Sequence, residues 1–251
     1  MSRLSDEQQA SPPLRLFPSF AERSNELEHL DKGDYTPEEY EGCIVELKRI
    51  NRWLGDARAL QISLLNEIAE TGESQFSVLD VGAGSGELLR VIAAWAKKQK
   101  KSAKLVGLEL NERSVLAIKQ DSQPSQNINA LRGDAFHLPF RNGTFDYVMC
   151  SLFTHHFGNE EVVTILRELA RVTRRRLFII DLNRHPVAYA FYITVGRLML
   201  HNRLVREDGA LSILRSFKPD ELFALAERAG LHEVNVRRAF PYRLILTASS
   251  A

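Results

Sequence analysis

The rhythm of apolar and polar positions changes once along this chain. Up to about residue 70 the apolar residues recur at helical spacing: Ile44, Leu47, Ile50 and Leu54, then Leu60, Leu64, Leu65 and Ile68. From Phe76 on, short apolar runs alternate with amphipathic stretches. Residues 77–81, 104–109, 128–132, 144–150 and 177–182 read as five strands, with helices at 87–98, 111–119 and 159–172 between them. Residues 186–200 are the most apolar segment and 204–217 continue them; 218–230 read as a helix with Pro219 in its first turn and Gly230 at its stop. Residues 231–238 and 242–248 then pair as a closing hairpin. The alternation predicts an α/β protein built on a doubly wound, mostly parallel sheet of seven strands. Three parts follow: a mobile tail over 1–13, an N-terminal helical cap over 14–70, and a core over 71–251 with a lid inserted after the fifth strand at about 184–217. The cap carries a helix start at Thr36-Pro37-Glu38-Glu39, with Thr as N-cap, Pro at N1 and Glu at N3.

Composition narrows the classes. A chain of 251 residues, 44% hydrophobic and 26% charged, is that of an ordinary soluble globular protein. Thirty-three basic against thirty-two acidic residues leave a net charge of +1, without the basic excess of a nucleic-acid binder. Cys43 and Cys150 lie far apart and read as reduced core thiols. The N-terminus has no apolar core of a secretory signal, and 186–200 is too short to span a bilayer, so a cytoplasmic enzyme without stable membrane insertion is expected.

The chemistry centres on Phe76-Ser-Val-Leu-Asp-Val-Gly-Ala-Gly-Ser-Gly-Glu87. Glycines 82, 84 and 86 follow a buried strand and precede a helix, where they permit a sharp turn and close approach of a ligand to the main chain. A dinucleotide frame from Gly82 needs glycine at Glu87 and one from Gly84 needs it at Leu89, so neither fits; no Gly-Lys-Ser/Thr follows for a Walker loop. Asp80 and Glu87 on either side of the glycines suit a cationic ligand better than a pyrophosphate. The stretch resembles the first motif of the class I S-adenosylmethionine-dependent methyltransferases, Asp-x-Gly-x-Gly-x-Gly.

That resemblance implies a cofactor site over Asp80, Gly82, Ala83, Gly84, Gly86 and Glu87. Glu109, at the end of the second strand, is the candidate for the ribose hydroxyls, with Leu110 beside it. Gly133-Asp-Ala-Phe136 resembles the family's third cofactor motif, placing Asp134, Ala135 and Phe136 at the adenine. Ser151 lies at the end of the fourth strand, and Ser151-Leu-Phe-Thr-His-His156 is similar to a stretch of the ubiquinone and menaquinone ring methyltransferases and their small-molecule relatives. His155 and His156 are therefore the candidate catalytic bases; adjacent side chains are expected to point apart, which lets at most one of them face substrate, and His155 is favoured.

Asp181 and Asn183 stand at the ligand edge, but a metal-dependent catechol methyltransferase has an Asp after its fourth strand and adjacent Asp-Asn after its fifth. Here Ser151 and the split pair Asp181-Leu-Asn183 replace them, and no metal is expected. Arg174-Arg-Arg176 reads as a solvated turn ahead of the fifth strand. Tyr189, Phe191, Tyr192 and Met199 in the lid, and Phe17, Phe20, Tyr35, Tyr40 and Trp53 in the cap, point to an apolar or aromatic acceptor. The expected function is methyl transfer from S-adenosylmethionine to such a small molecule, a phenolic or polyketide hydroxyl of secondary metabolism. A cofactor-binding module without catalysis is the alternative, as is a methyltransferase of nucleic acid or protein; the amine-positioning motif of the nucleic-acid enzymes is absent at Ser151-Leu-Phe-Thr154. The oligomeric state is left open.

Overall fold

The computed structural model describes residues 18–51, 55–122, 126–196 and 200–249, with the backbone alone for 47–51. The expected tail over 1–13, Phe17, Trp53, Leu54 and Met199 lie outside the described residues.

Seven strands form one sheet: β1 (Gln75–Val81), β2 (Ser102–Glu109), β3 (Ile128–Arg132), β4 (Phe145–Ser151), β5 (Thr173–Leu182), β6 (His232–Ala239) and β7 (Arg243–Ser249). Their order is β3-β2-β1-β4-β5-β7-β6, with β7 antiparallel to both neighbours and the remaining pairs parallel. The order reverses between β1 and β4. In an open parallel sheet the carboxyl ends at such a reversal leave a crevice that helices do not cover, and ligands bind there.

Buried strands with alternating faces explain why the sheet is covered on both sides. In β4, Val148 and Cys150 join a core containing Leu79, Val81, Leu166 and Leu169, whereas Tyr147 and Met149 join the opposite core with Val78, Leu105, Ile92 and Phe178. Cys43 and Cys150 are free and buried, and burial raises both thiols, Cys43 to about 12.

Nine helices are labelled in chain order. α1 (His29–Lys32) and α2 (Pro37–Asn51) precede α3, a run made of Asp56–Leu60, a π-helical Gln61–Leu65 and Asn66–Glu70. α4 (Glu87–Lys98), α5 (Glu112–Asp121) and α6 (Asn159–Val172) connect the parallel strands. α7 (Pro186–Phe191) runs into a π-helical Tyr192–Gly196; α8 (Arg203–Arg215) and α9 (Pro219–Arg228) lead to the hairpin. The capping box at Thr36 is reciprocal, Glu39 N donating to Thr36 Oγ1 at 3.2 Å and Thr36 N to Glu39 Oε2 at 3.0 Å. Asn111 caps α5 by accepting from Arg113 N at 2.9 Å.

The fifth strand begins earlier than expected. Arg174, Arg175 and Arg176 belong to β5 rather than to a turn; Arg174 and Arg175 are exposed as expected, and acids on neighbouring elements pair with all three: Arg174 binds Asp146, Arg175 binds Glu73, and Arg176 lies 3.2 Å from Glu67 and 3.1 Å from Glu233. This cluster occupies the sheet's amino-terminal edge, opposite the crevice.

Segments before β1 and after β5 are tied to each other by polar contacts. Glu46 accepts from His201 N and Asn202 N at 2.9 and 2.8 Å, and Asp208 in α8 accepts from His29 N and Leu30 N at 2.8 and 3.1 Å. Arg203 Nε donates to Glu39 at 2.9 Å. Gly209 makes the crossing of α7 and α8 possible, since a Cβ there would meet the Tyr192 hydroxyl at 2.0 Å. No helix among the described residues is long and apolar enough to cross a membrane.

Candidate active site

β1 ends in the glycine bend. Gly82, Gly84 and Gly86 adopt φ of +71°, +56° and +75°, the left-handed region where a side chain is strained. Gly82 N donates to Leu108 O at 2.9 Å, which folds the bend over the end of β2. Each glycine has a separate reason. A Cβ on Gly82 would meet the Phe153 ring at 2.3 Å and one on Gly86 would press Ile118 at 3.1 Å, whereas nothing lies within 4 Å of one on Gly84. Gly84 is thus the position at which the backbone faces open space, and Ala83 and Glu87 lie half-buried on either side of it.

Two carboxylates stand beneath this bend. Glu109 Oε1 accepts from Gly84 N at 2.5 Å, joining the tips of β1 and β2. Burial raises its carboxyl above the usual range, opposed by amide donation from Gly84, Leu110 and Asn111. Asp80 is 2% exposed, and its Oδ1 has no hydrogen-bond partner among the described residues. Burial, with the Glu109 charge beside it, pushes Asp80 well above the ordinary carboxylate value. A buried acid of this kind is stabilised by a cation or donor brought from outside.

The remaining predicted cofactor residues line the same edge. Leu110, next to Glu109, is 65% exposed, an apolar surface that a flat ring can cover. Asp134 is exposed and accepts from Phe136 N at 2.9 Å, and Ala135 is buried beneath it. Phe136 packs edge-to-face on Phe157, which packs on Phe153, so the aromatic row runs from the Asp134 loop to Gly82. An open main-chain bend, an orphaned buried acid and an uncovered leucine fit the donor and acceptor pattern of S-adenosylmethionine.

The turn after β4 brings the histidines to this edge. Ser151 is half-buried at the strand end, and Leu152 holds a left-handed φ of +49°, an uncommon state for a leucine that turns the chain from the strand into the Thr154–His156 helical turn. His155 is 3% exposed. Its Nδ1 lies 2.6 Å from Asp181 Oδ1, and Asp181 also accepts from Thr154 Oγ1 at 2.5 Å, His155 N at 3.2 Å and Leu182 N at 2.8 Å. Burial alone would raise Asp181, yet the His155 charge and these donors hold it down at about 2. Asp181 therefore fixes the histidine turn. The two rings do not point apart as expected: their centroids are 4.3 Å apart with planes at 33°, and His155 Nε2 and His156 Nδ1 lie 3.9 and 3.7 Å from the carboxylate of Glu28. Consecutive residues in a tight helical turn share a side when both rings meet the same buried acid.

Several residues of this edge were not expected from the sequence. Glu28 is 2% exposed, and burial raises its carboxyl to about 7. Arg215 donates to the carbonyls of both His155 and His156, and Arg23 donates to those of His155 and Phe157. These partners lie 59 to 134 positions away in sequence, beyond any local pattern. Phe153 and Phe157 carry a weak signal, flanking the histidine pair. Tyr189 is buried against Phe20, but Phe191 is 58% exposed and lies on the solvent side of its helix.

Residues 78–176 match the model of a family described as "Methyltransferase domain". The chain is 31% identical over 101 residues to a demethylmenaquinone methyltransferase of Bacillus licheniformis, covering 39% of this chain and 40% of that protein. It is 26% identical over 179 residues to a ubiquinone/menaquinone biosynthesis C-methyltransferase of Rickettsia prowazekii, covering 64% and 70%. The first curated relatives are matched over less than half of their own length, 47% and 40%. Among solved structures the fold is shared with human N-acetylserotonin methyltransferase, with a TM-score of 0.62 at 14% identity over 90% of this chain and 63% of that one. The strand order, the glycine bend and the paired acids below it lie within or beside this methyltransferase-domain match, and the fold is that of the solved methyltransferases.

Proposed function

We propose that this protein transfers the methyl group of S-adenosylmethionine to an apolar aromatic small molecule, a phenol or quinol. The observation that carries the reading is the hydrogen bond from Gly84 N to Glu109, which sets an open main-chain bend and a buried carboxylate side by side over Asp80. When bound, the cofactor would supply an electrophilic sulfonium methyl group, the S–CH3 bond breaking as the acceptor takes the methyl and S-adenosylhomocysteine leaving as a neutral thioether. The chain's own part is to hold and orient. Gly82, Ala83, Gly84 and Gly86 admit the cofactor's main body, Asp80 and Glu87 serve its amino-acid end, Glu109 takes the ribose hydroxyls with Leu110 beneath the base, and Asp134, Ala135 and Phe136 take the adenine. Ser151 closes the slot from β4.

His155 is the group best placed to take a proton from the acceptor. With Nδ1 held by ionised Asp181, its free lone pair is on Nε2. His156 stands beside it. The helices before β1 and after β5 shield this edge from water, and Tyr40, bonded to Ser114 at 3.1 Å, closes it near Glu109. The names of the quinone-methylating relatives favour a quinol acceptor over a polyketide. A macromolecular acceptor is disfavoured by the neutralised arginine triplet.

Incubating the protein with methyl-labelled S-adenosylmethionine and a panel of quinols, phenols and acyl compounds is expected to give a labelled quinol or phenol, with His155→Ala lowering turnover by about 10²- to 10⁴-fold. Binding of S-adenosylhomocysteine without labelled product from any member of the panel would instead make this a cofactor-binding module.

A further inference from the structure

The group around Glu28 carries a second site. Glu28, His155 and His156 each offer one ligand atom, and these three atoms all lie within 4.8 Å of one another. The His155 tautomer is set from behind: Nδ1 donates to Asp181, so neutral His155 presents a lone pair at Nε2 to a carboxylate oxygen 3.9 Å away. His156 Nδ1 faces the other oxygen at 3.7 Å and lies 3.0 Å from Asp31 Oδ1 without the alignment of a hydrogen bond. With both rings neutral and their protons turned away, His155 Nε2, His156 Nδ1 and the Glu28 carboxylate are acceptors facing one spot, an arrangement that a cation between them satisfies. The separations of 3.9 and 3.7 Å are too long for a shared proton. Ligands at about 2.1 Å from a tetrahedral ion stand roughly 3.4 Å apart, so the two histidine–carboxylate separations of 3.9 and 3.7 Å need close by only about half an ångström or less.

Charge points the same way. Around this spot stand Glu28, Asp31, Asp181 and Asp208, opposed by the guanidinium groups of Arg215 and Arg23. Arg215 donates to the main-chain carbonyls of Glu26, His155 and His156 and pairs with Asp31 at 3.2 Å, but approaches Glu28 no closer than 3.9 Å. The carboxylate behind His155 is also the second shell that metal-ligating histidines use to fix their orientation.

We propose that Glu28, His155 and His156, with Asp31 in reach, bind one divalent cation of the Zn²⁺ class, with a coordination position open to solvent or to an acceptor oxygen. Imidazole and carboxylate together select a borderline transition ion over Mg²⁺ or Ca²⁺. The residues differ from the Asp181–Asn183 position weighed in the sequence, where Asp181 is instead consumed by Thr154 and His155. The ion would take the same His155 Nε2 lone pair that the methyl-transfer reading gives to the acceptor's proton, so with metal bound His155 is a ligand and not the base, while cofactor binding at the glycine bend is unaffected.

The test is a titration of chelator-stripped, full-length protein with Co²⁺, read by visible d–d absorption, followed by displacement with Zn²⁺ in a calorimeter. One equivalent of Co²⁺ with absorption typical of a four- or five-coordinate ion is expected, displaced by Zn²⁺. His156→Ala, at a half-exposed position, and Glu28→Gln should each weaken Zn²⁺ at least about tenfold. Folded wild-type protein that gives no d–d band and no Zn²⁺ heat overturns the proposal, and so does His156→Ala binding as tightly as wild type, which places the ion elsewhere.

Discussion

Replacing Gly84 by alanine should lower the affinity for S-adenosylhomocysteine by at least about tenfold, roughly 1.4 kcal/mol or more, while the protein stays folded. The positive φ of +56° makes any side chain costly, by about 1–2 kcal/mol of stability, but the new methyl group meets no protein atom within 4 Å. It projects only into the space assigned to the ligand. Gly86→Ala is the contrasting case: its methyl presses Ile118 at 3.1 Å, so stability should fall with a smaller change in affinity. Calorimetric titration together with thermal unfolding of both variants reads the two effects separately. If Gly84→Ala binds as tightly as wild type, the open face of the bend is not where the nucleoside lies.

Asp181→Ala should destabilise the protein by about 3–5 kcal/mol, measured by urea unfolding. The carboxylate is completely buried and accepts hydrogen bonds from Thr154 Oγ1, His155 N and Nδ1, and Leu182 N; all of these are left without an acceptor when it is removed. The sign with pH is consistent. A carboxyl held down at about 2 contributes stability that is present above the ordinary Asp value and is lost as pH falls toward 2. Because the same residue fixes the histidine turn, Asp181→Asn, which retains shape and one acceptor oxygen, should lose less stability. A cost below about 1 kcal/mol for the alanine variant would mean that the turn is held by Arg23 and Arg215 without it.

The parallel core was legible because its signals are local. Ser77–Val81 and Phe145–Cys150 are apolar runs bounded by turn residues, and Gly82, Gly84 and Gly86 fall where a positive φ favours glycine. Glu109 could be placed by its position at the end of the second strand. Asp80 could be read as an acid near the bend, but that one of its oxygens is left orphaned depends on three-dimensional packing.

What sequence reasoning missed comes from long-range charge pairing. The arginines at 174–176 resemble a turn until Asp146, Glu73, Glu67 and Glu233 are brought to them by the sheet. His155 and His156 looked like side chains diverging from a loop. A glutamate more than a hundred positions earlier, buried by α8, draws both rings to one side. Gly209 lies inside α8, and its role is visible only in three dimensions, where the Tyr192 hydroxyl occupies the space of its missing side chain.

The central claim is that the bend between β1 and α4, with Glu109 and Asp134 on the neighbouring strand ends, receives an adenosine bearing a sulfur centre. Titrating wild-type protein with S-adenosylhomocysteine in a calorimeter tests it most directly. A single saturable site is expected, with a dissociation constant in the micromolar range, about −8 kcal/mol. Absence of binding heat up to about 1 mM nucleoside, from folded protein, would contradict it.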